Sequence, residues 1–115
     1  MMKKLYGEVE LLAFKEYERA SLDYGAKNNS SHESYAVLRE EMDEANDETI
    51  NTLLWMDKYW KSVKANDTEK QADHLRYVYM HSLLAACEFI QTAAMAHKAL
   101  ATMGYKVSKN AQGEN

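Results

Sequence analysis

Apolar residues recur along most of this chain at intervals of three and four, the stripe of an amphipathic helix. Leu5, Val9, Leu12, Ala13, Tyr17, Ala20 and Tyr24 make the first stripe, and Gly25 supplies a natural stop because glycine takes the left-handed conformation at a helix end without strain. Residues 26–31 read as a polar loop. Ser30 and Glu33 then have the spacing of a capping box, which satisfies the free N–H groups at a helix start. A second stripe follows through Val37, Leu38, Met42 and Ala45 and resumes with Ile50, Leu53, Leu54, Tyr59, Trp60 and Val63. Such a segment would be a rod of roughly 45 Å at about 1.5 Å per residue, long for so short a chain, so a bend or break is expected over residues 46–49. A second capping box, Asn66 with Glu69, opens a third helix whose alanine-rich interior continues to Gly104. Residues 105–115 are mostly polar and without period, the pattern of a flexible tail. No alternating segment predicts a strand. The pattern predicts an all-α antiparallel helical bundle of three to five helices, forming one domain over residues 1–104.

Composition narrows what such a bundle can be. The chain of 115 residues has no proline and only four glycines, so nothing interrupts the long periodic segments. One cysteine, Cys87, rules out an intramolecular disulfide and points to a reducing, cytoplasmic setting, with the thiol read as a small buried hydrophobe. The longest unbroken apolar run is Leu83, Leu84, Ala85, Ala86 and Cys87, far short of the roughly 20 residues of a membrane span. The two lysines at the start lead into Tyr6, Gly7 and Glu8 rather than an apolar core, which is not a signal peptide. A net charge of −4 without a basic cluster argues against a nucleic-acid clamp, which depends on concentrated positive charge.

The charge is not spread evenly. Residues 40–48 hold six carboxylates and no Lys or Arg, so this one stretch contributes −6 and the remainder of the chain is net +2. Solvated helix faces usually interleave the two signs, because like charges one turn apart repel. At about 100° per residue, Glu41 falls inside the apolar stripe between Val37 and Ala45, with Glu44 and Glu48 on the same side. Glu88 likewise sits amid Leu84, Ala85, Thr92 and Met95, with Gln91 beside it. An inward carboxylate is costly without a compensating base, hydrogen-bond network or cation. Convergence of Glu41, Glu44, Glu88 and Gln91 would make a site of oxygen donors, the set that Mg²⁺ takes and Zn²⁺ does not favour. Pairing of the same acids with Lys or Arg from another helix or subunit would answer the pattern equally well. The spacings for a di-iron bundle, an H-E-x-x-H zinc site and an EF-hand loop are all absent.

Residues 31–44, with the run Glu40, Glu41, Met42, Asp43, Glu44, and residues 88–96, opening Glu88, Phe89, Ile90, Gln91, resemble the MazG-like nucleotide pyrophosphohydrolases, particularly small phage-associated members. The resemblance covers residues 31–101. It implies an all-α, oligomeric protein, a dimer or tetramer, whose E-E-x-x-E and E-x-x-D motifs hold Mg²⁺, with Mn²⁺ as a substitute, for cleavage of nucleoside triphosphates to monophosphate and pyrophosphate. Glu41 and Glu44 match the first motif and Glu88 opens the second. Gln91 stands where the family has Asp, so one ligand becomes an amide that brings no charge. The separation of the two motifs is longer than in compact members, the extra length falling in residues 53–73.

The implied mechanism gives Glu40 or Glu48 the part of catalytic base or outer-shell group and gives the metal set Glu41, Glu44, Glu88 and Gln91 the neutralisation of phosphate charge. Lys98 is a candidate for a substrate phosphate, set against a plain solvated lysine. His81, on the same face as Glu88, reads as packed or hydrogen-bonded in preference to a ligand, and His32 at the second helix start is open to either reading. Trp55, Trp60, Tyr77 and Tyr79 are expected in a core or an interface. The rival from another class is a catalytically inactive helical protein of the same type, serving as a binding or assembly module.

Overall fold

A computed structural model describes residues 2–108. These residues form three helices and no strand: α1 (Met2–Tyr24), α2 (Ser31–Lys64) and α3 (Thr68–Met103). The all-α expectation holds, and the second and third helices are longer than average by a factor of about three. No described helix is long and apolar enough to cross a membrane. The expected tail falls partly on residues 105–108, which follow α3 without helix or strand; residues 109–115 lie outside the described part.

Local chemistry sets the ends. Gly25 (φ 89°) closes α1 and Gly104 (φ 86°) closes α3, each in the left-handed region that a side chain would strain. At the start of α2 the Glu33 N–H donates to Ser30 Oγ at 3.1 Å, as the capping box requires, while the Glu33 carboxylate accepts from the Asn29 N–H at 2.6 Å rather than from Ser30. The start of α3 differs from expectation. Asp67, not Asn66, caps it, its carboxylate accepting from the Lys70 N–H at 3.0 Å. Asn66 (φ 54°) instead ends α2, a conformation that Asn tolerates better than most residues. The helix is not broken over residues 46–49: α2 is helical throughout, and the hydroxyls of Thr49 and Thr52 turn back to the carbonyls of Ala45 and Glu48.

Contacts divide the chain into two compact units, one of residues up to Met42 with those from Phe89 onward, the other Asp43–Glu88. In the second unit the C-terminal part of α2 and the N-terminal part of α3 form an antiparallel hairpin. Trp55 stacks on Tyr77 with centroids 4.2 Å apart, His74 Nδ1 lies 3.1 Å from the Lys58 carbonyl, and the Gln71 amide donates to the Ser62 carbonyl. In the first unit His97 stacks on Tyr17 at 3.9 Å, with Phe14 tilted against it. The backbone N–H of Asn28 donates to Thr102 Oγ1 at 2.8 Å, fastening the loop after α1 to the last turns of α3.

The interior of both units is thin. Among the described residues the buried apolar side chains are all alanines: Ala20, Ala45 and Ala94. Many larger ones stay exposed, including Trp60 at 55% and Tyr79 at 69%. These two aromatics therefore lie outside any core of this chain, and Cys87 is exposed, not buried. The helical spacing that groups these side chains on one face is satisfied only when a further surface covers that face.

Candidate metal centre

Glu44 on α2 and Glu88 on α3 face each other across the hairpin of the second unit and share a hydrogen bond. Glu41 lies one turn before Glu44 on the same unbroken helix. One carboxylate oxygen from each of Glu41, Glu44 and Glu88 lies within 4.8 Å of the others. Glu44 is exposed, whereas Glu41 and Glu88 are half-buried and each has its Oε1 shielded from solvent. Glu88 is pushed above its ordinary pKa, first by burial and then by the charges of Glu44 and Glu48 and the hydrogen bond that its protonated form donates to Glu44.

Glu48, one turn beyond Glu44, is held differently. Its Oε1 lies 2.8 Å from Nδ1 of His81, both side chains being largely covered. This hydrogen bond, with a second to Asn51, holds the Glu48 carboxyl below the usual carboxylate range against the opposing effect of burial. The hairpin thus carries one carboxyl with a lowered pKa and one with a raised pKa. Environments that push two acids apart in this way allow an acid and a base to coexist at one pH.

The other anticipated residues divide between these surroundings and a separate recess. Glu40 is exposed and lies outside the three-carboxylate group. Gln91 and Glu41 both line a cleft of about 540 Å³ in the first unit. Lys98 lines it too, and it is 7% exposed, so the solvated-lysine reading is wrong. His81 is the hydrogen-bonded histidine that its position relative to Glu88 indicated. His32 is exposed. Residue spacing offers no hint of His97, whose burial against the two aromatics lowers its pKa, because only the fold sets Phe14 and Tyr17 against it.

The donor set fits a hard divalent cation. Three carboxylate oxygens so close together repel one another, and the charge of Glu44 adds to burial in raising Glu88. Oxygen-only coordination suits Mg²⁺ or Mn²⁺. What the coordinates define is an all-α protein with an acidic group of cation-binding geometry. Comparison with known proteins adds nothing to that class: no family model, no curated protein and no solved structure matches the chain.

Proposed function

We propose that this protein is a Mg²⁺-dependent nucleoside triphosphate pyrophosphohydrolase that works as a homo-oligomer. The observation that carries the reading is the approach of Glu41, Glu44 and Glu88, from two motifs far apart in sequence, to within 4.8 Å. These three carboxylates would hold the cation, with the Gln91 amide oxygen as a neutral fourth donor. A bound divalent cation supplies charge neutralisation for the triphosphate and acidifies a coordinated water. Glu48, whose pKa the hydrogen bonds to His81 and Asn51 lower, is placed beside the three carboxylates and ranks ahead of the exposed Glu40 as general base. Phosphoryl chemistry depends chiefly on positioning and charge neutralisation, so a site with few other groups suffices.

Oligomerisation follows from the missing core. Burying one Leu or Met side chain is worth about 1.5–3 kcal/mol, and most Leu and Met side chains of the described residues remain exposed. A second copy covering the apolar faces of the hairpin supplies it. Sedimentation equilibrium should give an assembly that stays intact on dilution to low micromolar concentration.

The second reading, an inactive binding or assembly module, is favoured by Gln91, which brings no charge where a hydrolase of this type uses an acid. Crystals soaked in Mn²⁺ and a pyrophosphate-release assay over the common nucleoside triphosphates decide between them. The hydrolase requires anomalous density among the three carboxylates and pyrophosphate release that Glu41→Gln abolishes. Density without turnover leaves the module.

A further inference from the structure

Within the second unit, α2 carries apolar side chains on two opposite sides. Trp55 and Glu48 mark the side that meets α3, where they touch Tyr77 and His81. At about 100° per residue, Ile50, Leu53 and Trp60 lie roughly 120–160° away from those two, with Leu54 and Met56 flanking them. All five are exposed. A helix that is apolar on both sides needs a covering surface on both, and α3 supplies only one.

The charges beside this outward stripe are segregated by sign along the helix. Asp43 and Asp47 stand before it, and Lys58, Lys61 and Lys64 stand towards its far end. Asp57 is the one acid at the basic end, and Lys61 holds it at 3.5 Å. Glu44 and Glu48 belong to the side that faces α3. A face that is acidic at one end, apolar in the middle and basic at the other is complementary to its own reversed copy. With a two-fold axis at Leu53, that residue meets its counterpart and Ile50 meets the second copy's Met56. Asp47 and Asp43, about 9 and 15 Å before the axis, then reach the second copy's lysines, which stand about 8–17 Å after it. A parallel pair would set acid on acid and lysine on lysine, which costs affinity.

We propose that the outward face of α2 is the self-association surface of this protein: two copies pair antiparallel through α2, with Leu53 at the two-fold axis and the aspartates of each copy against the lysines of the other. This rests on the homo-oligomer reading above and adds the face, the direction and the register of the assembly. Because Glu44 and Glu48 project from the other side of α2, the pairing leaves them uncovered.

Sedimentation velocity of the whole chain in EDTA tests it with two charge reversals, Asp43→Lys with Asp47→Lys, and Lys58→Glu with Lys61→Glu and Lys64→Glu. Each reversed chain alone should associate about tenfold or more weakly than wild type, and an equal mixture of the two should recover wild-type association. Circular dichroism checks that they fold. A second measurement needs no charge change: in a Cys87→Ser background, Leu53→Cys should link two copies by a disulfide under mild oxidation, since a residue on a two-fold axis lies beside its counterpart. Tyr79→Cys, equally open but on α3, should stay unlinked. A wild-type chain that is monomeric at tens of micromolar would overturn both this surface and the homo-oligomer reading. An oligomer that ignores both charge reversals, or whose Leu53→Cys form stays unlinked or links no faster than the Tyr79→Cys form, overturns the α2 surface and leaves that reading standing.

Discussion

His81 Nδ1 and Glu48 Oε1 lie 2.8 Å apart although 33 residues of chain separate them, and this contact joins the two helices of the second unit beside the acidic group. Its effect on Glu48 is a lowered pKa, so the pair adds stability that is present above the unfolded carboxyl value of 4.5 and is lost as pH falls through the folded value. Replacing His81 with Asn should lower the melting temperature at pH 6 to 7, with the gap to wild type closing as the pH is taken well below 4.5. A gap that persists unchanged into strong acid would sink the assignment.

Glu88 has the opposite sign. Its raised pKa means that the folded state prefers the protonated acid, so its stabilising effect is full below 4.5 and is lost as pH rises through the folded value. Glu88→Gln, permanently neutral, should therefore melt at a higher temperature than wild type at pH 7 in EDTA. The order should reverse with millimolar Mg²⁺, which stabilises only a chain that binds it. Thermal melts with and without the cation measure both halves.

Restoring the missing charge at position 91 separates the two functional readings. Gln91→Asp should tighten Mn²⁺ binding by on the order of tenfold if the amide already faces a bound cation, because affinity at oxygen sites follows ligand charge. Calorimetry or Mn²⁺ paramagnetic resonance reads the change. Unchanged affinity would place Gln91 outside the coordination sphere.

His97 stacks on Tyr17 at 3.9 Å and is held below its ordinary pKa by burial. A depressed histidine contributes stability above its unfolded value of 6.5, lost as pH falls through the folded value. The melting temperature of wild type should decline between pH 6.5 and 5 more steeply than that of His97→Phe, which keeps the stack and cannot charge. Parallel profiles would refute the role.

Ala94 is fully buried in the first unit, where a larger side chain has no room. Ala94→Leu should cost about 1–3 kcal/mol, read as a lower midpoint in urea unfolding. Met103→Ala, at an exposed position near the end of α3, should change that midpoint little.

The helices and most of their ends were determined by the sequence alone. Gly25, Gly104 and the Ser30–Glu33 cap act within four residues of themselves, and hydrogen bonds of that range are written in the local order of residues. Spacing also put Glu41, Glu44 and Glu88 on inward faces, since a helix fixes the direction of every side chain about its own axis. It could not say what stands opposite. That Glu48 meets His81, that Lys98 is covered while Cys87 and Trp60 are open, and that α2 continues unbroken through residues 46–49 depend on which helix lies against which and at what register. Asp67 took the cap from Asn66 for a related reason: the tight connection between α2 and α3 required a left-handed residue just before it, and Asn was the one that could supply it. Periodicity carries direction but not distance, and burial, charge pairing and pKa are all set by distance.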